Sequence, residues 1–218
     1  MDVIILAAGK GSRMEVNLPK SLVVIRGKPI ISHRLDYLLK FKEINKIIIE
    51  TCYKQEEIIN YIKSNYNSPK IVFSTEDELT GPYGTAGGVK NALLKSSSEF
   101  VLVTNCDDIT DIDISRLSEV KENTICIAHP RLPFGRVKEE KGYASFEEKP
   151  LLADWVSCGW YIFNKKQIFS ILPDRGSLEY DIFPKIKLRV YKHNGFWKTM
   201  NNQKEVSEFE TSLKFQKS

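Results

Sequence analysis

Cysteine and histidine are both scarce in this chain. Cys52, Cys106, Cys126 and Cys158 are scattered, with no C-x-x-C pair and no histidine at ligand spacing. That excludes a zinc frame or a disulfide scaffold and suggests small core or near-site residues in a reducing compartment. His33, His129 and His193 have no partners at metal or triad spacing and are taken as bystanders. No apolar run is long enough to span a membrane, and the apolar start lacks a basic leader and a cleavage site. A cytoplasmic location with no membrane partner is therefore expected. The net charge is only +4, and no arginine-rich stripe interleaves with aromatics, so nucleic acid is not an expected partner. There is no internal repeat, no low-complexity linker and no hexapeptide pattern of the kind that builds a β-helix.

What is present is a core. At 218 residues and 42% apolar content the chain can bury one sizeable α/β domain over 1–218. Apolar periodicity predicts strands over 3–7, 46–50, 70–74 and 100–105, alternating with helices over 29–39, 55–64 and 85–95. That order argues for a Rossmann-like, mainly parallel sheet with helices on both faces. From about residue 124 the texture changes. Strands are expected over 124–128, 135–147 (a hairpin turning around 139–142), 156–163 and 188–193, with helices over 165–171, 178–186 and 203–215. The second half, about 124–218, is thus expected to add a small antiparallel extension to the first, about 1–123.

The first expected strand, Val3-Ile4-Ile5-Leu6-Ala7, opens into Ala8-Gly9-Lys10-Gly11-Ser12-Arg13-Met14, and Leu18-Pro19-Lys20 follows. Glycines at a strand end bring bare backbone N–H groups to the mouth of a sheet, where they can wrap phosphate oxygens. Arg13 offers a planar fork, and Lys10 and Lys20 add point charges. A triphosphate is the expected ligand. The loop is neither a Walker loop nor G-x-G-x-x-G, since Met14 stands where either pattern needs glycine. At the end of a later strand, Asn105-Cys106-Asp107-Asp108 places carboxylates where open α/β sheets bind ligands. Asp108, Asp111 and Asp113 are read as helix caps and turn formers.

The opening resembles the signature of the sugar-1-phosphate nucleotidyltransferases, L-A-A-G-x-G-[ST]-R-[ML] followed by P-K, in a short single-domain form without a β-helix tail. Further matches run in order along the chain: Asn105 to Asp113 for N-G-D-x-x-x-D-I-D, Phe146 to Pro150 for F-x-E-K-P, Ser157 to Phe163 for N-A-G-I-Y-I-F, Ser177 to Pro184 for S-L-E-x-D-x-F-P, and Leu79 to Gly88 for P-L-G-T-A-G. Near the C-terminus Thr199 stands where many relatives have a metal-binding Asp, while Met200-Asn201-Asn202 is similar to the V-N-N of other members.

The resemblance implies transfer of a nucleotidyl group from an NTP to a sugar 1-phosphate with release of pyrophosphate, in a nucleotide half followed by a sugar half. It implies nucleotide contacts from Leu6, Ala7, Ala8, Gly9, Gly11, Ser12, Arg13, Gly84 and Thr85. It gives catalytic roles to Arg13, Lys20, Asp107 and Lys149, sugar contacts to Glu148, Lys149, Gly159 and Glu179, and a Mg²⁺ ion to Asp107 and Asn201. Asn202 caps the last helix on this reading. The base and the sugar stay open, and a homo-oligomer is compatible with the chain. The alternatives are transfer to a phosphocholine-type or inositol-phosphate-type acceptor, or a non-catalytic nucleotide-sugar-binding subunit.

Overall fold

The computed structural model describes residues 1–11 and 17–212. β1 (Asp2–Leu6) is a β-branched run covered on both faces, as a central parallel strand must be. A small hairpin, β2 (Val24–Ile25) and β3 (Lys28–Pro29), leads into α1 (Ile30–Leu38). β4 (Ile47–Thr51), α2 (Gln55–Asn65), β5 (Ile71–Thr75), α3 (Gly84–Leu93) and β6 (Phe100–Asn105) continue the alternation. Then come β7 (Asp108–Thr110), α4 (Ile114–Ser118), β8 (Thr124–Ala128), and a hairpin of β9 (Arg136–Glu140) and β10 (Tyr143–Glu147). β11 (Val156–Asn164), α5 (Lys165–Phe169), β12 (Arg189–Lys192), β13 (Trp197–Thr199) and α6 (Gln203–Ser212) follow.

Seven strands form one sheet in the order β12-β8-β11-β6-β1-β4-β5. β1 pairs in parallel with β4 and β6, and β4 with β5. β11 runs antiparallel between β6 and β8, and β12 returns parallel to β8. The second half therefore extends the first half's sheet, while β9–β10 stands off it as a separate hairpin.

Strand alternation divides the core into two layers. Val3, Ile5, Ile47 and Ile49 pack on α1, α2 and α6 through Ile31, Leu35, Ile58 and Val206. Ile4, Ile48, Val101 and Val103 pack on α3 and α5 through Val89, Leu93 and Ile168. Helices on both faces, expected from the β-α-β order, are observed.

Three local expectations are corrected. The helix over 178–186 is a π-type turn, Leu178–Ile182, followed by a 3-10 turn, Phe183–Lys185. Pro184 lacks the N–H that would continue the ladder. β7, β13 and α4 were not anticipated, because elements of three to five residues carry too little periodicity to read. His193 is no bystander: it is buried, and its Nε2 lies 3.0 Å from the Phe196 carbonyl and 3.1 Å from Asp111 Oδ1. No helix of the described residues is long and apolar enough to cross a membrane.

Candidate active site

β1 and β6 end together, with Leu6 beside Asn105. Their continuations, Ala7–Gly9 and Cys106–Asp107, part and open a cavity of about 370 Å³ at the carboxyl edge of the sheet. Leu6, Ala7, Ala8, Gly9, Lys20, Gly84, Thr85 and Asp107 all line it. Gly9 leaves the backbone bare there, since a Cβ would meet nothing within 4 Å. Gly11 has φ +66°, and a Cβ on it would come within 2.7 Å of Lys20 Cβ, so glycine lets Lys20 cross under the loop. Ser12 and Arg13 lie outside the described residues.

Lys20 Nζ joins two distant segments. It forms an ion pair with Asp107 Oδ2 and donates to Asn201 Oδ1 at 3.1 Å. Asn201 is delivered by β13, which pairs with β7 so that Thr199 faces Asp108, and the Met200 N–H donates to the Asp107 carbonyl at 2.7 Å. Glu205 on α6 fixes it further by accepting the Asn201 N–H at 2.8 Å. Thr199 turns its hydroxyl to the same carboxylate at 3.3 Å. The Asn202 side chain accepts the Glu205 N–H at 2.9 Å, so it caps α6 while its neighbour faces Lys20.

Asp113 caps α4 through the Arg116 N–H at 3.1 Å, as expected. Asp111 receives the Phe196 N–H at 2.7 Å. Asp108 is neither cap nor turn former. It is buried in an ion pair with Arg34 and accepts the Trp160 indole N–H at 2.8 Å, while the Arg34 guanidinium lies 4.3 Å from the centroid of that ring. Burial pushes the Asp108 carboxyl up to about 6 even though Arg34 and Trp160 favour its charge. Trp160 is fully buried in this cluster, beneath the site. Cys106 lines the cavity, but burial pushes its thiol up to about 12, which keeps it un-ionised and unreactive.

Gly84 and Thr85, expected at the nucleotide, and the residues expected at the sugar are placed less uniformly. Thr85 Oγ1 accepts the Leu178 N–H at 2.8 Å and donates to Glu179 Oε2 at 3.1 Å, tying the start of α3 to the second half. Gly84 has φ +77°, and a Cβ there would meet the Gly176 carbonyl oxygen at 2.3 Å. Chain packing demands glycine at that point before any ligand is considered. Gly159 has φ +76°, and its missing Cβ makes room for the Asn105 amide, which lines the cavity. Glu148 is exposed at the foot of the β9–β10 hairpin. Lys149 pairs with Glu208 of α6 at 2.6 Å. Glu205 and Glu208 lie one turn apart, so α6 brings Lys149 to the side of the cavity that holds Asn201.

Sequence reasoning missed Glu50, Arg34 and Asn105. Glu50 carried a signal, being an acid at the end of the apolar run Ile47-Ile48-Ile49 in a strand buried on both faces. Arg34 carried none, because an arginine on an amphipathic helix ordinarily faces water.

The chain belongs to the nucleotidyl transferase family, whose model matches residues 2–198. The resemblance drawn from the motifs, to the sugar-1-phosphate nucleotidyltransferases, is borne out. One relative is D-glycero-alpha-D-manno-heptose 1-phosphate guanylyltransferase of Campylobacter jejuni, 34% identical over 179 residues that span 78% of either chain. Another is the catalytic subunit beta of mannose-1-phosphate guanylyltransferase of Drosophila melanogaster, 30% identical over 93% of this chain and 60% of that one. Among solved structures, HddC from Yersinia pseudotuberculosis superimposes with a TM-score of 0.75 at 25% identity, covering 98% of this chain and 99% of that one.

Proposed function

We propose that this chain transfers a guanylyl group from GTP to the 1-phosphate of a manno-configured sugar, mannose or a manno-heptose, giving the GDP-sugar and pyrophosphate. One observation carries the reading. Lys20, Asp107 and Asn201 converge at a cavity that the Ala7–Gly9 backbone and Gly84 also line. The substrates are those named for the guanylyltransferase relatives.

A sugar-phosphate oxygen attacks the α-phosphorus in line. A new P–O bond forms, the α–β bridge breaks, and pyrophosphate leaves with the bonding pair. No general base is needed, because the attacking phosphate is already ionised at neutral pH. The protein's task is positioning and charge neutralisation. The Ala7–Gly9 backbone and Arg13 hold the triphosphate. Lys20 and Lys149 draw in the attacking phosphate, which the triphosphate repels. Glu148 and Glu179 accept sugar hydroxyls, and Gly159 keeps the wall low. On this division residues of about 1–123 hold the nucleotide and those of about 124–218 the sugar.

Mg²⁺ fits the donor set. Asp107 and Asn201 turn one carboxylate oxygen and one amide oxygen to a single cation, the Lys20 ammonium. Mg²⁺ that binds with substrate phosphates takes only one or two protein oxygens. Asp107 and Asn201 would hold it, and it would supply charge neutralisation at the α-phosphate. Lys20, beside both oxygens, is the cation that would meet the sugar phosphate.

The test is pyrophosphate release from a matrix of four NTPs against mannose, manno-heptose, glucose and N-acetylglucosamine 1-phosphates. GTP with a manno-configured sugar should lead. Preference for UTP and N-acetylglucosamine 1-phosphate would overturn the substrate assignment, and silence throughout would overturn the reaction.

A further inference from the structure

Glu50 and Glu76 form a buried acidic pair for which the reaction chemistry has no use. Glu50, one residue before the end of β4, is 2% exposed and lines the cavity, and Glu76, just beyond β5, is 3% exposed. Their strands are neighbours, and the Glu76 N–H donates to the Thr51 carbonyl at 2.9 Å. Glu76 Oε2 accepts the Tyr83 N–H at 2.7 Å, which fixes the residue just before Gly84 and α3. The Glu50 main-chain carbonyl accepts the Ala7 N–H at 2.9 Å, and its carboxyl lies near enough to the Ala7 and Ala8 N–H groups for them to favour its charge. It packs so closely under α3 that a Cβ on Gly88 would lie 3.0 Å from its carboxyl carbon. The pair thus touches both walls of the cavity.

Hydrogen-bond bookkeeping then requires a proton. Each carboxyl leaves its Oε1 buried with no donor. Next to burial itself, the neighbouring Glu76 carboxyl does most to hold the Glu50 carboxyl well above the usual carboxylate range. Ionised carboxylates only accept, so two of them cannot bond, and like charges in a dry site cannot both persist. One shared proton supplies the donor that both oxygens lack. The other donor facing the pair is the Ser74 hydroxyl, opposite Glu50 across the strand, and in this structure it bonds neither acid. The residue just after β4 adds Cys52, whose thiol burial and the neighbouring carboxylates push up to about 11. The segment after β5 adds Glu78 beside Cys52, the end of β1 adds only backbone N–H groups, and α3 adds Gly88. Among the described residues neither acid has a salt bridge.

We infer that Glu50 and Glu76 share a single proton, and that the protonated pair is a positioning device holding the Ala7–Gly9 loop and the Tyr83–Gly84 entry to α3 in the geometry that receives the nucleotide. The positioning role rests on the reading of the cavity as the nucleotide pocket. When the proton is lost in alkaline solution, two negative charges are left in contact under both walls. Their repulsion strains both anchors, the Ala7–Ala8 segment beside Glu50 and the Tyr83 N–H held by Glu76. Nucleotide affinity therefore falls as pH rises, by up to about tenfold per unit once the proton is gone.

The experiment has two readouts on the full chain. Infrared spectroscopy in heavy water at about pH 8, above the range in which Asp108 titrates, should show a protonated carboxyl stretch that Glu50→Gln abolishes. Calorimetry with a non-hydrolysable GTP analogue and Mg²⁺, from neutral pH upward as far as the chain stays folded, should show wild-type affinity weakening with pH. The profile should be flatter in Glu50→Gln, or in Glu76→Gln if the first variant does not fold, because an amide donor keeps the bond without a proton to lose. Absence of the band overturns the shared proton. A band with identical pH profiles in wild type and variant overturns the positioning role and leaves the nucleotide pocket standing. A band without nucleotide binding at any pH overturns the pocket reading, and the positioning role with it.

Discussion

Lys20 and Asp107, 87 residues apart in the chain, are joined by an ion pair at the carboxyl edge of the sheet. The same ammonium takes the Asn201 amide oxygen. A loop lysine, a strand-end aspartate and an asparagine before the last helix thus present one polar focus beside the glycine backbone. Asp107 supplies its only formal negative charge. Asp107→Asn should lower kcat by about a hundredfold or more, because charge compensation at the α-phosphate is lost. Normal turnover at saturating Mg²⁺ would remove Asp107 from the chemistry. Asn201→Asp should tighten Mg²⁺ binding in the absence of nucleotide, and Asn201→Ala should raise the Mg²⁺ concentration that turnover requires. Calorimetry on the ligand-free protein reads the first effect and rate titrations the second.

Much of this focus was legible in the sequence, for definite reasons. Glycines after a branched apolar run can do little but open a sheet edge. Asp107 follows a strand whose burial its own residues dictate. Asn201 was legible only through the motif Met200-Asn201-Asn202, since no local rule separates it from its capping neighbour. Asp108 misled because an Asp three residues past a strand ordinarily turns the chain. Its role depends on Arg34 and Trp160, which lie 74 and 52 residues away, and pairing at that range leaves no local trace. Glu76 escaped for the same reason, and the signal that Glu50 carried, an acid in a strand buried on both faces, did not name its neighbour until the strands are set side by side.

Asp108 gives a stability prediction distinct from catalysis. Asp108→Ala strands the Arg34 guanidinium in the core and should cost about 3–5 kcal/mol in urea unfolding. Activity per folded molecule should change far less than in the Asp107 variants. The sign of the pH effect follows from the raised carboxyl. Below about pH 4 the folded and unfolded forms are both protonated at this group, and its contribution is fully present. As pH rises through about 6 the folded state gives up its proton against the cost of burial, and that stability is lost. Asp108→Ala should remove this fall from the stability profile. If the fall persists unchanged, another group causes it.

Two glycines separate backbone strain from steric clash. Gly84 (φ +77°) would place a Cβ 2.3 Å from the Gly176 oxygen, whereas Gly142 (φ +83°), at the tip of the β9–β10 hairpin, has nothing within 4 Å. Gly142→Ala should therefore cost only the left-handed penalty of about 1–2 kcal/mol. Gly84→Ala should cost more, with a larger drop in Tm. It should also raise the KM for nucleotide, since Gly84 and Thr85 both line the cavity. Equal Tm shifts in the two variants would mean that the Gly176 segment yields freely and that the Gly84 contact is not structural.

Lys149 must change partners to serve a sugar phosphate. In the ligand-free chain its ammonium is held by Glu208 at 2.6 Å, and this bond raises the Lys149 pKa and lowers that of Glu208. The pair is about one-third exposed on each side. Water and salt screen such a pair, so exchanging the carboxylate for a dianionic phosphate is easily reversible. Two variants should then move the KM for sugar 1-phosphate in opposite directions. Lys149→Ala removes a charge-assisted hydrogen bond to the phosphate and should raise that KM by about tenfold or more. Glu208→Gln keeps the shape of α6 but releases the ammonium, and should lower the same KM by roughly twofold to fivefold, less in high salt, where screening has already weakened the competitor. The KM for nucleotide should move little in either variant, because neither side chain lines the nucleotide cavity. Steady-state kinetics with each substrate varied in turn at low and high salt separates the cases. If Glu208→Gln raises the KM for sugar phosphate, the carboxylate orients Lys149 for binding and does not compete for it.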